Sequence, residues 1–199
     1  MRVLVFVLAC TAAFAGCGGG DTAAVTNSVG GTINSRSFTA KDAVSTNATG
    51  SGFSFGGPAM YIEITDYANA CSQEAAQQQP ANGQRLVLAI AAYDASGHPA
   101  PPTASGTFTV QQSSAGGPNS KVAELYYDGG CHKAEAHEGL SGSVTVTSVG
   151  ADGTVEGHFD VTITCGGFSS CTGPDAHLTG SFHATPCAGL NVNGTPACT

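Results

Sequence analysis

Cys131-His132-Lys133-Ala134-Glu135-Ala136-His137-Glu138 is the densest run of potential metal ligands in the chain. Its spacing does not fit a helical zinc protease site. No glutamate follows His132, and the two histidines stand five apart, on different faces of a helix or a strand. The run therefore reads as a polar loop after the strand that ends at Tyr127-Asp128-Gly129-Gly130, tied down by Cys131. A second group is His158, Asp160 and His183. It becomes a site for a transition metal only if its strands pair so that the imidazoles face each other, about 5 Å apart at Cβ. Solvated histidines on a polar sheet face are the plainer reading, so neither group predicts a metal or another cofactor.

Six further cysteines, Cys71, Cys131, Cys165, Cys171, Cys187 and Cys198, have the even number expected of three disulfides. Proximity in the chain favours Cys165 with Cys171 and Cys187 with Cys198, leaving Cys71 for Cys131. No CxxC pair is present, which argues against a zinc ribbon and against a redox dithiol of that type. The motifs of a serine hydrolase elbow, a phosphate-binding loop and a dinucleotide fold are absent as well. Asp94 and Asp128 follow strands and read as turn formers, not as paired catalytic carboxylates. Tyr61, Tyr93, Tyr126 and Tyr127 read as packing residues at sheet edges or as the lining of a sugar or peptide groove. Catalysis is not expected from this set.

The elements that carry these residues are strands. Leu86 to Tyr93 is apolar on both alternating sets and predicts a central strand covered on both faces. Met60 to Thr65 alternates as a half-buried strand does. Asp66 is placed to cap a helix from Tyr67 to Gln79, before Pro80. Gly30 to Thr39 reads as a tight hairpin. Thr107 to Gln111 and Val122 to Tyr127 supply two more strands around the turn Ser113 to Ser120.

The clearest pattern lies in the C-terminal third. Ser143 to Val149 and Thr154 to Thr164 flank Gly150-Ala151-Asp152-Gly153, and His177 to Ala184 supplies a third strand. The register places Val144 opposite Phe159 and Thr145 opposite His158, with Phe159 then meeting Phe182 and His158 meeting His183. Val144, Val146, Phe159, Val161, Ile163, Leu178 and Phe182 share one face, and polar residues share the other. The expectation is an all-β fold, a single antiparallel barrel or sandwich of roughly eight strands with one short helix, stapled by disulfides.

Residues 1–17, MRVLVFVLACTAAFAGC, resemble a bacterial lipoprotein signal peptide: Arg2, an apolar run from Val3 to Phe14, the small pair Ala15-Gly16, then cysteine. The apolar run falls short of the roughly 20 residues that span a bilayer. The resemblance implies removal of residues 1–16, acylation of Cys17 as a stable membrane anchor, and, because Gly18 and not aspartate follows, the outer membrane of the cell envelope. Residues 17–28 then form the lipidated cysteine and a flexible tether reaching on the order of 20 Å, and 29–199 form the domain. The segments GTINSRSFTAKDAV, YIEITDYANAC and HLTGSFHATPC, with the CGGG from Cys17, resemble those of small uncharacterised lipoproteins of myxobacteria, a likeness that implies no activity.

Charge agrees with export and not with nucleic acid. Of six cations, loss of Arg2 leaves five against fourteen acids, with no basic cluster to neutralise phosphates. The functional expectation is a lipid-anchored structural or interaction module of the cell envelope. A small-ligand-binding or metal-binding barrel is the alternative, to be recognised by an apolar cavity of roughly 300 Å³ or more.

Overall fold

Alternation of apolar and polar residues along successive strands builds the wall of this protein. The structure, a computed structural model, describes residues 25–49, 55–111, 118–165, 171–191 and 197–199. The strands are β1 (Ser28–Gly30), β2 (Thr32–Ile33), β3 (Arg36–Ser37), β4 (Asp42–Ala48), β5 (Ala59–Thr65), β6 (Gln78–Gln79), β7 (Gln84–Tyr93), β8 (Pro99–Ala100), β9 (Gly106–Val110), β10 (Asn119–Tyr127), β11 (Lys133–Val149), β12 (Val155–Cys165), β13 (Ala176–Pro186) and β14 (Ala197–Cys198). One helix, α1 (Ala70–Ala75), follows β5. Ten strands share one sheet. It closes on itself because β13 pairs in parallel with β4 at Thr185 and Pro186, so the wall runs β4-β5-β7-β10-β9-β11-β12-β13. Of the barrel or sandwich expected, the sheet forms the closed barrel, and the parallel pairs β13–β4 and β10–β9 make it mixed instead of antiparallel throughout.

β11 is long enough to serve two neighbours. Its first part pairs with β10 and its later part, around Ser143 to Val146, with β9. The pairing shifts between Gly139 and Ser141, and Gly142 sits at φ +109°, where a side chain would run into the Asp160 carbonyl. The glycine lets the strand bend from one neighbour to the other.

Inside the barrel lie Ile62, Ile64, Leu86, Leu88, Ile90, Val144, Val146, Phe159, Val161, Ile163, Leu178 and Phe182, all buried. These include every apolar residue expected on the inner face of the C-terminal meander. Val144 opposes Phe159 and Thr145 opposes His158, as the sequence predicts. The next pair differs. β13 is displaced two residues from the expected register, so Phe159 opposes Gly180 and Phe182 opposes Gly157. Each ring fills the space its partner glycine leaves, and a methyl at either glycine would overlap the ring. Two directly opposed phenylalanines would instead compete for one volume. A two-residue shift keeps every side chain on its own face, which is why the apolar set survives it.

β5 is buried on both faces, not half-buried. Its outer side, with those of β4 and β7, carries a second apolar layer: Val44, Ala59, Tyr61, Tyr67, Ala70, Ala89, Ala91, Cys187 and Leu190. The helix that helps cover it is shorter than expected. Asp66 does not cap it but accepts from the Gln84 backbone N–H at 2.8 Å, and Asn69, in the left-handed conformation, stands at its start. Gln78–Gln79 leaves the helical path to pair with β14.

The disulfides are Cys71–Cys187, Cys131–Cys198 and Cys165–Cys171. The third is as expected; the other two correct the pairing by chain proximity. After β13 the chain does not loop back on itself. Cys187 ties it to α1, and β14, lying beside β6, brings Cys198 to the Cys131 turn. The domain also begins earlier than Val29: the Thr26 carbonyl and Asn27 side chain accept from Ser181 and His183 of β13, so the last tether residues are docked. Cys17 lies outside the described residues. Among those described, no helix is long and apolar enough to cross a membrane.

Candidate functional site

The turn Asp128 to His132 reverses β10 into β11, with Asp128 Oδ1 accepting from the Gly130 and His132 backbone N–H groups. Lys133 to Glu138 is therefore strand and not the expected polar loop. The five-residue spacing splits the two histidines as anticipated: His132 is solvent-exposed, whereas His137 points inward and is fully buried. Asp94 likewise forms a turn, accepting from the Ser96 and His98 N–H groups, which holds its carboxyl below the usual range.

His137 pairs with Glu124 of β10 on one side and Cys165 of β12 on the other, so the three stand in a row across adjacent strands. Glu124, also fully buried, receives the His137 Nδ1 at 2.9 Å and Gln84 Nε2 at 3.1 Å. Burial raises its pKa, against these two hydrogen bonds. The other ring nitrogen, Nε2, has no hydrogen-bond partner among the described residues. A ring nitrogen of His137 and the sulfurs of Cys165 and Cys171 lie within 4.8 Å of one another. The β2–β3 hairpin is tied down beside them. Its two-residue turn, Asn34 and Ser35 at positive φ, presents Asn34 and Arg36 to Glu135; Arg36 holds both carboxylate oxygens, at 3.0 and 2.7 Å, and stacks 4.1 Å from the Tyr126 ring centroid. These contacts keep the Glu135 carboxyl below its ordinary range, the Arg36 hydrogen bonds foremost.

A second polar cluster lies outside the wall, beneath α1. Arg85 donates to Glu74 at 2.8 Å and to the Tyr127 hydroxyl, and lies 3.5 Å from Glu63; all four are buried. Burial, then the Glu74 carboxyl, push Glu63 up to about 7 against the pull of Arg85. One guanidinium serves two carboxylates, so the pair retains a proton toward neutrality.

The other sequence candidates separate. On the outer face of the meander, Asp160 holds His177 at 2.7 Å and Glu156 holds His183 at 2.8 Å, while His158 opposes Ser181. The two-residue displacement thus removes the expected His158–His183 pair, and His158, Asp160 and His183 do not assemble as a metal set. The tyrosines do not share a groove: Tyr61 and Tyr127 are buried and Tyr126 lies under Arg36.

At the opposite end of the barrel is an open groove of about 500 Å³, bounded by β4, the 101–103 loop, the β11–β12 turn and the end of β13. Met60, Pro101, Val149 and Val155 supply apolar surface, and Asn47 and Thr103 supply polar groups. Among the described residues, no ionisable side chain lines it. No motif marks this groove, because it is made where β4, the 101–103 loop, the β11–β12 turn and the end of β13 meet, segments separated in the chain. The chain matches no family model, no curated protein and no solved structure.

Proposed function

We propose that this protein is a lipid-anchored, non-catalytic structural or interaction module of the bacterial cell envelope, held at the outer membrane through Cys17. The observation that carries this reading is the use of all six cysteines after Cys17 in three disulfides, which fits an oxidising compartment. Two of them, Cys71–Cys187 and Cys131–Cys198, fasten helix and tail onto a barrel whose interior is filled by its own side chains. The net negative charge supports a partner other than nucleic acid. Mass spectrometry of the protein taken from its native membrane tests the anchor. The expected N-terminal peptide begins at an acylated Cys17, and Cys17→Ser releases the domain or blocks processing. An unmodified mature terminus elsewhere contradicts the reading.

The groove favours a second reading, a small-ligand-binding barrel. Its volume lies within the 300 to 1,000 Å³ typical of ligand pockets, and its lining suits an uncharged ligand.

A further inference from the structure

Among the described residues, His137 Nε2 is a buried ring nitrogen with no hydrogen-bond partner, and such groups in native interiors call for an occupant. Both Glu124 oxygens accept hydrogen bonds, one from Gln84 and one from His137 Nδ1. A carboxylate that accepts from Nδ1–H fixes the tautomer and leaves Nε2 as a lone pair. A ring nitrogen of this histidine lies within 4.8 Å of the sulfurs of Cys165 and Cys171. As a disulfide the two sulfurs carry no proton to donate.

We propose that reduction of the Cys165–Cys171 disulfide creates a site for a thiophilic divalent cation, Zn²⁺ foremost, ligated by the two cysteine sulfurs and His137 Nε2 and oriented by Glu124. An external dithiol supplies the electrons: the S–S bond breaks, each sulfur gains one electron and one proton, and the dithiol leaves as its own disulfide. Cation binding then displaces both thiol protons. Two sulfurs and an imidazole nitrogen match the borderline-soft zinc ion, whose bonds of about 2.0 to 2.3 Å place ligand atoms roughly 3.5 Å apart in a tetrahedron. Cys165 and Cys171 are half-buried while His137 is fully buried, so a fourth ligand such as water would have to come from the cysteine side. The same exposure makes this pair the one a reductant reaches first. Each other disulfide has a buried partner, Cys187 or Cys131.

The test treats the purified, folded chain with limiting phosphine reductant, identifies the reduced pair by differential alkylation, and titrates Co²⁺ as a spectroscopic stand-in for Zn²⁺. The expected result is selective reduction of Cys165–Cys171, then one Co²⁺ per chain with thiolate charge-transfer and tetrahedral ligand-field bands, two protons released, and displacement by Zn²⁺. The oxidised chain should show none of these bands. His137→Gln should abolish them, and Glu124→Gln, which keeps all three ligands, should weaken binding about 10- to 100-fold. A folded, selectively reduced chain that binds no Co²⁺ overturns the proposal. So does affinity unchanged by Glu124→Gln, a measurement that stands even if His137→Gln fails to fold.

Discussion

The β11–β13 meander and the β5–β7–α1 side of the barrel bury comparable strands by different means. The meander has one dry face, filled by Phe159, Val161, Ile163, Leu178 and Phe182, and one wet face bearing exposed pairs such as Asp160 with His177. On the other side the outer faces of β5 and β7 are covered too, and that layer contains Arg85, Glu63 and Glu74 as well as Tyr61 and Ala89. Apolar burial depends on volume alone, whereas a buried charge depends on its partner and on pH. The two halves should therefore respond differently to mutation and to protons.

Removing one member from each makes the largest expected effects. Phe182→Ala should cost about 3 to 5 kcal/mol, the usual range for a large core truncation, and nearly the same at pH 5 and pH 8. Arg85→Met should also cost about 3 to 5 kcal/mol near neutrality, because it strands two buried carboxylates and the Tyr127 hydroxyl, but clearly less at pH 5, where protons can replace the guanidinium. Denaturant unfolding of both variants at the two pH values checks this. Equal pH dependence in the two would erase the contrast. A smaller effect comes from adding volume: Gly180→Ala pushes a methyl against the Ser28 carbonyl and into the Phe159 ring and should cost about 1 to 3 kcal/mol. Pairing it with Phe159→Leu should recover the part of that loss due to the ring, and strictly additive losses would show that the Ser28 carbonyl and not the ring sets the cost.

The same contrast explains what could be read from the residues. One-sided burial writes a period of two, so the strands and inner face of the meander were visible. The β12–β13 register was not, because it turns on which ring lies over which glycine. The second layer leaves no such trace. Tyr61, Glu63 and Thr65 look like a solvent face until α1 and the tail are placed over them. Tyr67 to Gln79 has helix-forming composition, yet only Ala70–Ala75 is helical, with Cys71 bound to Cys187 and Gln78–Gln79 drawn toward β14. The candidate site shares this difficulty. His137 stands in a polar run, and its burial follows from Glu124 across a hairpin and Cys165 on the next strand. The turn residues Asp128-Gly129-Gly130, directly after the strand ending at Tyr127, were the available sign of that hairpin.

The pH profile of stability tests the distinction between the two halves most directly. Glu63 holds its proton up to about 7 in the folded protein but loses it at its ordinary value of 4.5 once unfolded. Between those values the folded state binds the extra proton, so raising the pH favours unfolding, and stability falls across that window. The shift corresponds to roughly 3 kcal/mol at most, with Glu124 acting in the same direction. Carboxyls held low, such as Glu135 and Glu156, act oppositely, losing their contribution as pH falls below the ordinary carboxylate range, outside a scan from pH 5 to pH 8. Unfolding free energies over that scan should decline for the parent chain and be much flatter for Glu63→Gln. A flat parent profile, or a decline left intact by Glu63→Gln, would contradict the account.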